Sequence, residues 1–298
     1  MFIHEWRDRV KKIVISLPLP VMPIAQPLIQ KLQELATNTQ LEFKGLNPEE
    51  DEPLPIRGDD MPELVVTHHV SIMKNRDAMV SSGSYEAPKG VLPEMRDDLQ
   101  EKGFVDPTGC FIPMCFVPLV LIYDRSIKPA PSSWEDLLEK RWQGRIGSAS
   151  TSTFIKLLNV NLKSLFGERV DQLNQLFDSM DLKGLPIKVN LAVGDGDLDV
   201  GIAPLPFARA SRTGDISMCW PKEGAFCAIH VMIFKKDAHE DAIKIGRYLL
   251  SDEAQQLMSA PGLIPVNPNV PLPEEAVENK LNFYWKGWDW FIERLNGI

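Results

Sequence analysis

The chain contains no apolar run approaching the roughly 18 residues a membrane-spanning helix requires, no run of lysine and arginine, and no Cys-x-x-Cys pair. The first absence excludes a helical transmembrane segment. The second, with a formal net charge of −9, argues against nucleic acid or an anionic membrane as partner, and leaves room for a local cationic cleft. The four cysteines, Cys110, Cys115, Cys219 and Cys227, share no zinc-like spacing with the five histidines. They read as buried unpaired thiols, with a disulfide open only to an exported chain. Also missing are G-x-S-x-G, H-E-x-x-H, a P-loop and G-x-G-x-x-G. No catalytic residue, resident metal or cofactor is therefore assigned, and binding rather than catalysis is the expectation.

What is present fits a soluble globular protein. At 298 residues, with 44% hydrophobic and 24% charged, the chain can hold one large domain or two lobes with a core each. Its central stretch, Pro118 to Thr153, reads as an apolar strand, a proline-marked turn, a capped short helix, a second strand and a hydroxyl-rich start to a long helix. Ser133 suits the cap before Trp134, with Asp136 in place of the capping-box Glu. Phe154, Leu157, Leu158, Leu162 and Leu165 follow at helical spacing. A strand that ends in small hydroxyl residues at a helix start offers backbone N–H groups and a positive dipole end to an anion or polar ligand.

Elsewhere, strand and helix patterns alternate. A short helix is expected over residues 2–11, a strand over Lys12 to Leu17, and a helix bearing Leu28, Leu32 and Leu35, so the loop from Leu17 lies at a strand's carboxyl end. Strands are expected at Leu41 to Lys44 and Leu64 to Thr67, with an acidic, proline-bearing loop over residues 47–60 between them. His68 and His69 end the third strand and read either as a structural pair at a helix start or with one imidazole facing a cleft. Ser81 to Gly83 reads as a turn and Glu94 to Lys102 as a polar helix. Gly109 to Tyr123 is a long apolar run broken by Pro113 and Pro118. Further on, a helix is expected over Val170 to Phe177, strands over Pro186 to Val189 and Leu198 to Ala203, a crossing over Gly224 to Phe234, and helices over Ala238 to Leu250 and Glu253 to Met258, with Ser251 as a new cap. Asp195, Asp197 and Asp199 alternate as in a calcium loop but lack the remaining ligands. The aromatic tail Phe283 to Phe291 reads as a docked C-terminal helix or as an exposed patch for a partner.

The N-terminus superficially imitates a signal peptide, with a charged Met1 to Lys12 and an apolar Ile13 to Ile29. Pro18, Pro20, Pro23 and Pro27 interrupt that run and no small-residue cleavage site follows. Ile13 to Ser16 also reads as the first strand of the fold. The expectation is a cytoplasmic protein as the sequence stands, periplasmic or extracellular if a leader precedes it.

The stretch PxSWEDLL…WxGRI with its Ser/Thr-rich helix start, followed by GDGDLDVGIA, WPKEG and AIKIGRYLLSDEAQQLMSAPGLIPVNPNV in that order, resembles the solute-binding proteins of ABC transporters, of the ferric-ion type. These segments cover about half the chain. The resemblance implies an α/β, two-lobed periplasmic-binding-protein type II fold, each lobe a mixed, mainly parallel sheet flanked by helices. Residues 1–118 with 224–270 would form one lobe, 119–223 the other, and 271–298 a helical tail packed on a lobe, with the hinge at Pro118. It implies capture of a small polar or anionic ligand by hinge closure, by a monomer that hands it to an ABC permease. The alternative is a cytosolic sensor or carrier of the same fold. The ligand-binding residues would be Pro18, Leu19, Pro20, Val21 and His68 from one lobe. The other would supply Ser150, Thr151, Ser152 and Asn190, with Pro204, Pro206 and Phe207. The ferric-ion binders carry two adjacent tyrosines after the strand matching Asp199 to Ala203, where this chain has Pro204 to Phe207, and often a first-lobe histidine where it has Leu17 to Pro20. Iron(III) favours hard oxygen donors, so the resemblance stops short of iron.

Overall fold

Short apolar runs bounded by turn residues become strands, and the amphipathic runs between them become helices. The computed structural model describes residues 11–18, 22, 25–44, 60–90, 92–210 and 215–297. The helix expected over residues 2–11, the acidic loop of 47–60 and Leu19, Pro20 and Val21 lie outside the described residues, apart from Lys11 and Asp60 at the edges.

The chain opens with β1 (Lys12–Ile15), α1 (Gln26–Leu35), β2 (Gln40–Phe43) and β3 (Leu64–Thr67), with β1 between β2 and β3 and parallel to both. A proline sits in the first turn of α1, where its missing N–H has no intrahelical partner to lose, and Leu28 and Leu32 are buried. Three short helices follow, α2 (Val70–Met73), α3 (Arg76–Ser82) and α4 (Asp97–Glu101). Ser81 and Ser82, expected in a turn, instead close α3, and Gly83 ends it in the left-handed conformation. The polar helix expected from Glu94 is confined to α4, because Arg96 is extended.

The next strand, β4 (Ile112–Asp124), is continuous through both prolines that were expected to break it. A register shift between Pro113 and Cys115 absorbs the first, and Pro118 stays in register beside Cys227. Phe116, Leu119 and Leu121 are fully buried, which outweighs a missing ladder hydrogen bond. After β4, the expected cap forms reciprocally: Asp136 N donates to Ser133 Oγ at 3.2 Å and Ser133 N donates back to Asp136 Oδ2 at 3.1 Å.

Then come β5 (Ile146–Ser148), α5 (Ser152–Phe166), α6 (Val170–Ser179), β6 (Asp181–Leu182), α7 (Pro186–Gly194), β7 (Val200–Pro204), α8 (Leu205–Ala210) and β8 (Ile216–Cys219). The strand expected over Pro186 to Val189 is a correction: these residues begin α7. Proline at the first helical position is pre-set for a helix, and Val189 and Val193, four apart, face the sheet together. Gly201 on β7 admits that helix, since a Cβ there would lie 2.6 Å from Val189 Cγ1. The chain ends with β9 (Phe226–Phe234), α9 (Glu240–Leu249), α10 (Asp252–Ser259), β10 (Ile264–Pro265), α11 (Glu274–Glu278) and α12 (Trp288–Asn296). Ser251 caps α10 as expected, accepting from Ala254 N at 3.4 Å.

The strands lie in the order β2-β1-β3-β9-β4-β7-β5-β6, with β8 and β10 also pairing with β4. β5 is parallel to β7 and β6, whereas β9 is antiparallel to β3 and β4, and β4 to β7. Two parallel sets are thus joined by one long antiparallel pair, in the expected two-lobed α/β arrangement. Cys110, Cys115 and Cys227 are buried free thiols; Cys219 is free and only half-buried.

Candidate ligand cleft at the strand crossing

Strand direction decides where a cleft can form. β3 ends with Thr67 beside Val231 of β9, and β9 begins with Phe226 beside Leu119 of β4. From the other side, β7 ends with Pro204 beside that same Leu119. The carboxyl ends of β3 and β7 therefore approach one crossing from opposite sides, and β1 and β5, parallel to them, bring their ends to it. Ligands of open α/β sheets sit outside such ends.

On the first side, Ser16 N donates to Val66 O at 2.9 Å, which holds the exit of β1 beside that of β3. Pro18 is buried there, and Leu19, Pro20 and Val21 lie outside the described residues. His68 is half-buried and stacks between His69 and His230, with ring centroids 4.6 Å apart in both pairs. His230, on β9 opposite Cys115, is 3% exposed, and its Nδ1 has no hydrogen-bond partner. Burial, reinforced by His68 and His69, holds its pKa well below the ordinary imidazole value, so it is neutral. Stacking keeps the ring nitrogens in nearly parallel planes instead of converging on a point. Among the described residues no three His, Cys, Asp or Glu side chains are placed to hold a metal ion.

On the second side, Ser150 N donates to Gly184 O at 2.9 Å and Lys183 N to Ser148 O at 3.0 Å, which fixes the exit of β5. Thr151 is extended and caps α5 without a side-chain cap bond, so the first-turn N–H groups keep their capacity for an incoming acceptor. Ser150 is exposed, and Thr151 and Ser152 are half-buried. Ser148 is fully buried and Thr153 is 5% exposed, and both hydroxyls lack a hydrogen-bond partner. Leaving a buried hydroxyl unpaired costs about 1–3 kcal/mol. A polar guest at this helix start would offset that cost.

Asn190 is placed differently from the expectation. It is buried on α7, and its Nδ2 donates to Phe207 O at 2.6 Å, so this donor ties α7 to α8. Pro204 and Pro206 are buried and Phe207 half-buried; the prolines carry no N–H and contribute shape alone. Ser148 pairs with Ile202, which sets the Ser150 to Ser152 turn beside Pro204. Across the crossing, α2 packs against α5, so the helix after His69 meets the helix after Thr151. His230 escaped sequence reasoning, and its signal was a single polar residue in the apolar run FCAIHVMIF.

Among solved structures, the chain is similar to apo ferric ion-binding protein A of Pasteurella haemolytica, at 13% identity and TM-score 0.73, covering 97% of this chain and 95% of that one. It is similar to a ferric binding protein of Campylobacter jejuni, at 12% identity and TM-score 0.73, covering 97% and 96%. Iron-bound HitA of Pseudomonas aeruginosa is similar at 14% identity and TM-score 0.71, covering 96% and 99%. At these identities the likeness establishes the fold, the two-lobed type II periplasmic-binding-protein arrangement. No curated protein sequence matches the chain. Residues 59–294 match the family of bacterial extracellular solute-binding proteins, and the chain belongs to that family.

Proposed function

We propose that this solute-binding protein captures a small polar or anionic molecule between the exits of β1 and β3 and those of β5 and β7, and passes it to an ABC permease. The observation that carries the polar character is the start of α5, where an uncapped helix end lies beside the buried, unpaired hydroxyls of Ser148 and Thr153. A helix N-terminus favours negative charge, and N–H and O–H donors suit carboxylate or phosphate-like oxygens. Ser150, Thr151, Ser152 and Thr153 act as donors from this side, and Pro18 and His68 close the other.

The similar ferric-binding structures raise the question of iron. Iron(III) favours phenolate and carboxylate oxygen. None of the four tyrosines directly follows β1, β3, β5 or β7 in the chain: Tyr85 bridges to Lys235, Tyr123 is on β4, Tyr248 on α9, and Tyr284, which packs at the start of β9, has its hydroxyl 2.7 Å from Ser164 Oγ. A free anion or an already chelated metal suits this cleft better than bare iron.

We take residues 1–118 with 224–270 as one lobe and 119–223 as the other, with a monomer as the working unit. Delivery to a permease puts this work outside the cytoplasm. Cell fractionation, periplasm against cytoplasm, decides between that location and the cytoplasmic one expected from the N-terminus.

Thermal unfolding against a panel of carboxylates, phosphonates, amino acids, sugars and metal chelates tests the capture reading, because a ligand of the folded state raises the midpoint by mass action. One class should give a saturable rise that a Ser150, Thr151 and Ser152 triple-alanine variant abolishes. Thr153→Val should leave the ligand-free midpoint level or slightly higher, since it removes an unpaired hydroxyl, and should shrink the ligand-dependent rise. A panel without any shift sinks the reading.

A further inference from the structure

The C-terminal segment holds on to both sides of the strand crossing at once. Its first residues lie along the start of β9: Ala225 N donates to Asn282 O at 2.9 Å and Tyr284 N donates to Ala225 O at 3.0 Å. Backbone meets backbone here, because Gly224 has a φ of +107° and a Cβ on it would lie 2.5 Å from Tyr284 N. Trp220 Nε1 donates to Asn282 O at 2.6 Å and fastens the same point.

Beyond it the grips alternate. Toward the β5–β7 side, the Tyr284 hydroxyl lies 2.7 Å from Ser164 Oγ, and Lys286 Nζ donates to the same oxygen at 3.1 Å. Ser164 is in the last turn of α5, the helix whose other end is the proposed ligand site. Toward the β1–β3 side, Trp285 Nε1 donates to Gly103 O at 3.0 Å while its ring stacks on Phe104, and Trp288 Nε1 donates to Phe104 O at 2.8 Å. One residue further, Asp289 accepts from Arg76 Nη2 at 2.6 Å. Arg76 is buried and also reaches Asp106, so that anchor is fixed in the lobe.

We propose that residues 282–289 are a strap that sets how far the two lobes open. Any rotation of α5 relative to Phe104 and Arg76 must lengthen the Ser164 contacts, the Trp285 to Asp289 contacts, or both. The strap therefore favours the arrangement in which α2 touches α5, and interactions made in one state of a two-state hinge shift its population toward that state. Ligand affinity follows from the same balance without any strap residue touching the ligand; this last consequence alone rests on the proposed capture function.

Ser164→Ala removes both hydroxyl contacts and leaves the aromatic cluster intact, and Asp289→Asn weakens the opposite grip while Arg76 keeps Asp106. Spin labels at Gln30→Cys on α1 and Asn174→Cys on α6, in a Cys219→Ser background, report the distance between lobes without ligand. Each variant is expected to lengthen and broaden the distance distribution, with an unfolding midpoint near the parent's. A ligand found by the thermal panel should then bind roughly threefold to tenfold more weakly to each, the loss expected of one or two modest hydrogen bonds. Distance distributions identical to the parent's in both variants would overturn the strap. Changed distances with unchanged affinity would keep the strap and count against the cleft as the ligand site.

Discussion

At the scale of single residues, His230 makes pH a test of the crossing. Burial and the neighbouring imidazoles depress its folded-state pKa well below the 6.5 of an unperturbed imidazole. The unfolded chain takes up a proton near pH 6.5 that the folded chain refuses. The stability associated with neutral His230 is therefore present above that pH and is lost progressively as pH falls below it. Carboxylates held below their ordinary range, such as Asp136 and Asp241, make a similar loss lower down, through the acid range. The midpoint measured from pH 7.5 to 5.5 should fall, and fall less steeply in His230→Leu. Parallel profiles for the two proteins would show that another group titrates. The sequence marked this residue only as the lone polar position of FCAIHVMIF and assigned it no role, because the stack with His68 joins segments far apart in the chain.

At the scale of elements, close approach of α7 to the sheet depends on Gly201. A methyl there would lie 2.6 Å from Val189 Cγ1 and 2.9 Å from Ile122 Cγ1, in a packed region. Gly201→Ala should destabilise by about 1–3 kcal/mol, as overpacking does, read as a shift in the denaturant midpoint at constant slope. A loss below about 0.5 kcal/mol would mean the helix slides outward at little cost. Elements whose ends carry their own hydrogen-bonding side chains were legible from sequence: the Ser133–Asp136 cap and the Ser251 cap form as read. Helix α7 was not, since PIKVNLAVG is apolar enough for a buried strand, and only packing on β7 resolves Val189 and Val193 into one face. For the candidate site, only the placement of its residues can be compared with the sequence reading. Ser150 to Ser152 stand at the strand exit as expected, but Asn190 is committed to Phe207, a contact between segments that local spacing does not reveal.

At the scale of the molecule, β9 and β4 lie between the two sets of parallel strands and join them into one sheet instead of two. The aromatic stack of Trp134 on Phe226, centroids 3.9 Å apart, with Tyr284 edge-on to Phe226, packs over the same junction. Calorimetry should accordingly record one cooperative unfolding transition; two resolved transitions would mean that the lobes melt apart. The threading of β9 also has a consequence for the order in which the protein can form. Thr67 finds its partner in Val231, so β3 leaves the ribosome with one edge bare and waits for a strand made much later. At typical synthesis rates that wait is roughly ten to thirty seconds. During it the nascent chain presents an apolar strand edge to its surroundings, and β1 to β3 gain their missing neighbour only after β5 to β8 have been made.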